Sequence, residues 1–340
     1  MKVTELQLIN KPENRGRHVV ILGAGASRAA FSEGDANGKI LPVMDDLIAV
    51  LRLETIMEQS GIEYQGRNFE AIYSELYEKN PESAFLKDIH EAIYAYFSGL
   101  RLPAQPTLYD HLLLSLRSKD LIATFNWDPF LYDAWERNGH IATLPQIAYL
   151  HGNVRIGYCL EHRFKGKNGM FCPECDKELA PSQLFYPITL KNYTDDPFIE
   201  KEWQLLKIYL GKAFTLTIFG YSAPSTDKEA VDIMKIAWDT NKRLIARIEV
   251  VDIKDKLVLQ KQWSPFIVRT YFDCVNDFYQ SRIPNFPRRT CEGLLDSTRY
   301  GIPAEKNPLP RDADFDGLFS WLKPLVEAEQ ALSGDPSTNE

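Results

Sequence analysis

The sequence predicts an α/β protein: a parallel sheet covered on both faces by helices. Three observations carry that expectation. Apolar, β-branched runs alternate with helix-length segments along most of the chain, the order of a parallel sheet with crossover helices. The first run, His18-Val-Val-Ile-Leu22, feeds directly into Gly23-Ala24-Gly25-Ala26-Ser27, a small-residue turn that lets the backbone approach an anionic ligand closely. A small or polar residue also stands just past nearly every run, at Gly23, Asn126, His151, Ser222 and Asp252. In an open parallel sheet those strand ends form the ligand crevice.

Residues 1–16 are polar, with Pro12 and Gly16, and read as an N-terminal arm. After the first strand and turn, Arg28-Ala29-Ala30 opens a helix, and Phe31 to Lys39 has loop composition. From about 40 to 118 no strand is evident, and the segment reads as a helical insertion. Its helices are expected at Asp45–Leu51, Asn68–Glu78, Pro81–Leu100 and Thr107–Leu116. Strands follow at Asp120–Thr124 and Ile147–Leu150, separated by a helix from Pro129 to Asn138 that stops at Gly139. Residues 153–186 form a compact cysteine-containing insert. Then come a helix at Pro197–Leu210, a strand at Ala213–Phe219, a helix at Thr226–Trp238 and a strand at Arg247–Val251. The last strand is placed at Phe266–Tyr271. Residues 273–340 read as an irregular extension with one amphipathic helix, Asp314 to Gln330, kinked or interrupted at Pro324, and a disordered tail from Ser333.

The charge balance is 39 basic against 47 acidic residues, net −8, and Pro287-Arg288-Arg289 is the one short basic block. Binding to a phosphate backbone needs clustered Lys and Arg, so direct nucleic-acid binding is not expected. The segment Met1–Leu6 lacks the apolar core of a secretory leader, and no stretch approaches the ~18 apolar residues of a membrane span. Five cysteines, an odd number, do not suggest a disulfide framework. A cytosolic protein is expected.

Cys159-Leu-Glu-His162 and Cys172-Pro-Glu-Cys175 are two ligand pairs, each offered by a single turn. Together they complete a closed tetrahedral zinc site through Cys159, His162, Cys172 and Cys175, with Glu161 the alternative to His162. Four protein ligands leave no open position, so the zinc is structural and the chemistry lies elsewhere. Asn126 and Asp128 either serve a site or cap the helix at Pro129. Gly220-Tyr221-Ser222 with Asp227 is either a ligand loop or a turn with its cap. Asp252 is a ribose-hydroxyl acceptor or a turn residue, and His151 is a base or a structural partner.

The order of these pieces is more specific than any one of them. Gly-Ala-Gly-Ala-Ser, Thr-Phe-Asn-Trp-Asp, Leu-His-Gly, a zinc knuckle, Phe-Gly-Tyr-Ser and a strand ending in Asp follow one another over residues 17–255. That series resembles the sirtuin (silent information regulator two) family. The resemblance implies a Rossmann-like parallel sheet over residues 17–272, with a helical and a zinc-binding insertion, and NAD+ as ligand. It implies that Gly23, Ala24, Gly25, Ala26 and Ser27 hold the pyrophosphate region. Asn126 and Asp128 would face the nicotinamide ribose and His151 would act as base. Gly220 and Ser222 would hold the adenosine side, with Asp252 at its ribose, and Tyr221 and Asp227 would be further cofactor-binding residues.

Departures from the deacylating members direct the choice of reaction. Their Gly-Ile-Pro-Asp-Phe-Arg is represented only by Ile40-Leu-Pro-Val-Met-Asp45, and their Thr-Gln-Asn-Ile-Asp has become Thr124-Phe-Asn-Trp-Asp128. Their Phe-Gly-Glu stretch beside the acyl-peptide strand is replaced by Pro181-Ser-Gln-Leu-Phe-Tyr-Pro187. The chain thus resembles the sirtuin-like NAD+-hydrolysing effectors of bacterial anti-phage defence. This implies an NAD+ glycohydrolase held in check by oligomerisation or a partner protein. A protein deacylase or ADP-ribosyltransferase, and a non-catalytic NAD+ or ADP-ribose sensor, are the alternatives.

Overall fold

The computed structural model describes residues 16–188, 193–241, 247–267, 271–294, 301 and 303–333. The expected N-terminal arm, up to residue 15, and the tail from 334 lie outside the described residues. Six parallel strands form the main sheet: β1 (Arg17–Leu22), β2 (Leu121–Thr124), β3 (Gln146–Tyr149), β7 (Ala213–Phe219), β8 (Arg247–Val251) and β9 (Tyr271–Val275). Their spatial order is β3-β2-β1-β7-β8-β9, all neighbours parallel. The chain therefore leaves the centre of the sheet in one direction and returns to build the other half, a doubly wound order with its switch point between β1 and β7. Every residue of β2 and β7 is buried, which is why these strands read as continuous apolar runs.

Between β1 and β2 lies the helical insertion. After α1 (Ala24–Ala30) come α2 (Leu47–Leu51), α3 (Glu54–Ser60), α4 (Phe69–Lys79), α5 (Ala84–Ser98) and α6 (Leu108–Leu114). Asn68 and Ser83 cap α4 and α5 through side-chain acceptors, and Thr107 with Asp110 closes a capping box on α6. The expectation missed α3, whose polar sequence buries Met57 alone. It also started the first helix too late. Gly23 is already the N-cap, so the Gly-Ala-Gly-Ala-Ser stretch is mostly first-turn helix.

After β2, α7 (Phe130–Asn138) leads to β3. A small antiparallel sheet follows, with β4 (Ile156–Cys159) between β5 (Phe164–Lys167) and β6 (Ala180–Pro181). The outer edge of β3 is covered. Glu202 of α8 (Pro197–Leu210) accepts from the Tyr149 N–H at 2.8 Å, and Lys165 donates to the Ile147 carbonyl and to Glu202. Helix α9 (Lys228–Asp239) connects β7 to β8, and α10 (Lys256–Gln262) connects β8 to β9. The last strand begins at Tyr271 and runs to Val275, not Phe266–Tyr271 as expected. Phe266 sits instead in a single 3₁₀ turn, Ser264–Phe266.

One expectation for the C-terminal region is corrected. Helix α11 (Phe315–Ser333) is continuous through Pro324. The basic block is not a surface feature, because Arg288 and Arg289 are each 1% exposed. Arg288 makes a two-pronged contact with Glu329 of α11 at 2.8 and 2.6 Å, and Arg289 reaches the same carboxylate at 2.7 Å. Leu318, Leu322 and Leu325 of α11 bury against Leu114 of α6 and Ala142. The extension is thus welded to the sheet domain by a small apolar core and a buried ionic cluster. Removing one partner of such a cluster leaves charge stranded in low dielectric. Glu329→Ala is expected to lower the stability measured by urea unfolding by about 3–5 kcal/mol, and Glu329→Gln by less.

Candidate functional site

A cleft of about 700 Å³ opens at the C-terminal ends of the strands, where the residues following β1, β2, β3, β7, β8 and β9 converge. Its size is that of a small-molecule site. The turns after β1 and β7 form its floor at the switch point. The Gly23 N–H bonds to the Phe219 carbonyl at 3.0 Å and the Gly25 N–H to the Gly220 carbonyl at 2.9 Å. A Cβ on Gly23 would lie 2.6 Å from the Gly220 oxygen, and one on Gly220, at φ +60°, 2.1 Å from the Ala26 nitrogen. These glycines are required by backbone packing alone. Together with the Ala26 N–H, which bonds to Gly23 O, they spend three donors that the sequence reading assigned to a pyrophosphate. Ala24 and Ser27 line the cleft, whereas Ala26 is fully buried behind them.

Above the floor stands a closed polar network. Asn126 Nδ2 donates to Gly23 O at 2.9 Å and to Ser27 Oγ at 2.8 Å. Ser27 Oγ donates to Asp128 Oδ2 at 2.6 Å and lies 2.6 Å from the Tyr109 hydroxyl. A hydroxyl has one proton and two acceptor sites. With its proton given to Asp128, Ser27 accepts from both Asn126 and Tyr109. Asp128 Oδ1 accepts from the Phe130 N–H at 3.2 Å, so this residue both caps α7 and faces the cleft. Asn126 caps nothing. Both its amide protons are spent on the β1 turn, leaving Oδ1 as the acceptor of that side chain. Burial pushes the Asp128 carboxyl up to about 6, against the hydrogen bonds from Ser27 and Phe130, which lower it.

Gly152, at φ +74°, turns the chain after β3, and a Cβ there would lie 2.0 Å from Gln183 O. His151 is thereby held in an aromatic box. It meets Phe125 edge-on at 4.8 Å between centroids and stacks on Tyr193 at 5.8 Å. Its Nε2 lies 3.1 Å from the Tyr193 hydroxyl and 3.9 Å from Asp227 Oδ1. Tyr221 stacks on Phe125 at 4.2 Å and donates its hydroxyl to Asp227 at 3.0 Å. Ser222 lines the cleft with its carbonyl engaged by Gln262. Asp252 lines it too, one carboxylate oxygen closing a turn onto the Lys254 N–H at 2.9 Å.

Sequence reasoning missed several contributors. Asn153, two residues after His151, donates to the Asp128 carbonyl at 2.7 Å and ties the β2 and β3 loops together. Tyr109 closes the polar network from the helical insertion. Arg28 lines the cleft, paired with Asp46 at 2.8 Å, and Arg311 comes in from the C-terminal extension, 4.3 Å over the Tyr279 ring. Proximity to motifs could have flagged Asn153 and Arg28; nothing local marks Tyr109, Tyr193 or Arg311.

In the small sheet, the ligand atoms of Cys159, His162, Cys172 and Cys175 all lie within 4.8 Å of one another. Cys159 Sγ is 3.6 Å from His162 Nδ1 and 3.8 Å from Cys175 Sγ, and Cys172 Sγ is 3.7 Å from His162 Nδ1. A tetrahedral zinc with ordinary bond lengths requires edges of roughly 3.6–3.8 Å. The donor set fits zinc, with His162 as fourth ligand, while Glu161 turns away to Lys177 at 2.9 Å. Zinc there would tie β4 to the following knuckle and support the β3 loop from behind.

Fold and cleft define a doubly wound α/β protein with a ligand crevice at the switch point and a cysteine-histidine insertion. No protein-family model and no curated protein matches the chain. Similar solved structures include a Sir2 homologue–NAD complex, 14% identical with a TM-score of 0.40 over 87% of this chain and 91% of that one. A Sir2 bound to an inhibitor, 2′-O-acetyl-ADP-ribose and a deacetylated peptide is 16% identical, TM-score 0.36, over 87% and 97%. A further Sir2 enzyme is 11% identical, TM-score 0.35, over 97% of both chains. At these scores the likeness carries no weight for the site, which stands on its own geometry. Among the described residues no helix is long and apolar enough to cross a membrane.

Two outcomes follow from the geometry. The folded-state pKa of Asp128 lies above its unfolded value, so its protonated form favours the fold below about pH 4 and that contribution is lost as pH rises through about 6. The stability of the wild type is therefore expected to fall relative to that of Asp128→Asn as pH rises from about 4 to 7 in pH-resolved urea unfolding. The purified protein is expected to carry one zinc per chain by elemental analysis, and Cys172→Ser to lose it.

Proposed function

We propose that this chain is an NAD+ glycohydrolase, cleaving the bond between nicotinamide and ribose. The observation that carries the reading is the meeting, in one cleft at the strand ends, of the Ser27–Asn126–Asp128 network with His151, walled by Phe125, Tyr221 and Phe185. The dinucleotide would lie across the switch point, adenosine towards Ser222 and Asp252 and nicotinamide ribose towards Asn126 and Asp128. Arg28 supplies positive charge beside the pyrophosphate.

In hydrolysis the C1′–N bond breaks, its electron pair leaves with nicotinamide, and water oxygen bonds to C1′. The proton released from water passes to His151, directly or through a ribose hydroxyl. Asn126 Oδ1, fixed by its two donated hydrogen bonds, orients the water or the ribose hydroxyl. Asp128, ionised above about pH 6, stabilises positive charge developing on the ribose. The aromatic walls exclude other water.

The segment after the cysteine insertion favours water over an acyl peptide as acceptor. The Phe185 N–H is bonded to the His151 carbonyl at 3.0 Å, and the Pro187 carbonyl accepts from Ser74 at 2.9 Å. Those backbone groups are not available to pair with an added strand. The likeness of the sequence to anti-phage effectors suggests a depleting enzyme restrained by oligomerisation or by a partner protein until triggered.

The test is nicotinamide release from NAD+, with and without an acetyl-lysine peptide. Release without peptide is expected, falling at least ~100-fold in Asn126→Ala and His151→Ala while zinc content stays at the wild-type level. Release that requires peptide would establish a deacylase, and saturable NAD+ binding without release a sensor.

A further inference from the structure

We infer that Asp227 is a positioning residue for His151, forming with it a carboxylate–imidazole pair, and is not a contact for the adenosine. The inference deepens the hydrolase reading and rests on it for the identity of the reaction, but the pairing itself is a property of the unliganded protein. Asp227 is 5% exposed and sits in the 3₁₀ turn Ser225–Asp227 that precedes α9. A buried carboxylate needs a donor and a counter-charge. Tyr221 gives the donor, at 3.0 Å to Oδ2, and the other oxygen, Oδ1, lies 3.9 Å from His151 Nε2.

That division of labour is geometric. Tyr221 is itself locked by stacking on Phe125 with the rings 5° from parallel, and Phe125 also meets His151 edge-on. One aromatic unit thereby sets the carboxylate and the imidazole relative to each other. At 3.9 Å the pair is longer than a hydrogen bond and suited to charge interaction, which strengthens when the imidazole takes a proton. A base that must accept a proton within a closed aromatic box needs such a counter-charge, because burial alone disfavours the imidazolium. Gly220-Tyr221-Ser222 and Asp227 thus divide two tasks: the glycine turn closes the cleft floor, and Tyr221 with Asp227 serves the opposite wall.

Among the described residues, ionisable groups near the ring or its partners come from several elements. Tyr193 stacks on it, and burial holds its hydroxyl protonated. Glu229 of α9 acts on Tyr193, and Glu70 of α4 acts on Tyr221. Asp128 faces the same cleft from the β2 loop. Because Asp128 titrates near pH 6, a pH–rate profile alone would mix its ionisation with that of His151.

The experiment therefore reads His151 directly. Full-length protein labelled at histidine is titrated by NMR, the His151 signal being identified by its absence in His151→Ala. The chain holds six histidines, few enough to resolve. Asp227→Asn is expected to lower the His151 pKa by about 1–3 units, the effect of removing an opposite charge at this distance. Asp227→Glu should restore part of it, and Tyr221→Phe should lower it by less. In nicotinamide release, Asp227→Asn should reduce kcat at least tenfold with KM for NAD+ changed less than threefold. The acidic limb assigned to His151 should move to lower pH, since the base stays neutral further down.

An unmoved His151 pKa in folded Asp227→Asn overturns the pairing. So does a raised KM with kcat unchanged, which would make Asp227 a ligand contact. Should Asp227→Asn fail to fold, the Tyr221→Phe titration decides in its place, an unmoved His151 pKa there overturning the pairing. If wild-type protein releases no nicotinamide, the hydrolase reading fails, while the NMR titration still decides the pairing.

Discussion

The turns after β1 and β7 touch backbone to backbone, and this contact can exist only because Gly23, Gly25 and Gly220 have no side chains. Two N–H groups cross the seam, from Gly23 to Phe219 and from Gly25 to Gly220. The seam fixes how far apart the two halves of the sheet present their loops. Asn126 is oriented by the Gly23 carbonyl and Ser27, both on one side of that seam. Tyr221 and Asp227 stand on the other side and reach His151. A widening of the seam would separate the amide and the serine–aspartate pair from the imidazole and its carboxylate. The glycine stretch thus serves the site by spacing its two walls, even where its own N–H groups are already engaged.

The cleft also shows where the fold accepts cost. Asp128 is buried with a raised pKa, and its two oxygens are committed to Ser27 and to the start of α7. An apolar side chain there would leave the Ser27 hydroxyl and the Phe130 N–H without that acceptor, so the cost of the buried carboxyl is set against two hydrogen bonds. A charge kept there at some loss of stability, beside ring systems that exclude water, is what stabilising a developing cation requires. By contrast His18, deep in β1, is a buried histidine with ordinary duties. Both its ring nitrogens are engaged by Thr217 and Thr290, and burial lowers its pKa to about 3. Position relative to the strand ends separates the two histidines, one beneath the sheet's hydrogen bonds and one past them.

Much of this was legible in the sequence, for identifiable reasons. Ala213–Phe219 and Arg247–Val251 were placed to the residue, the first because a strand buried on both faces is rich in apolar and β-branched residues, the second from its Ile and Val residues closing on Asp252. Pro197–Leu210 was equally clear, with Asp196 as cap and Pro197 at the first helical position. The strand-end residues fell into one cleft because doubly wound topology forces them there. What stayed hidden was set by partners distant in sequence. Tyr109 reaches Ser27 across 82 residues and Tyr193 reaches His151 across 42, and no local pattern announces either. Nothing local shows that Arg288 and Arg289 are buried, because their counter-charge, Glu329, lies about 40 residues further on. Pro324 reads as a kink or a break, yet α11 runs through it, its apolar side held by Leu114 and Ala142.

The Arg288–Arg289–Glu329 cluster also imposes an order on biosynthesis. Both guanidiniums are synthesised before their counter-charge, and they belong beneath α6 and the β2 half of the sheet, with Arg288 bonded to the Leu116 carbonyl. On the ribosome a chain can pair β1, β2 and β3 early, but it cannot bury those cations until α11 has left the exit tunnel. Arg311, which lines the cleft, enters with the same late segment. The crevice is therefore incomplete until the segment carrying Arg311 and α11 has been made and packed.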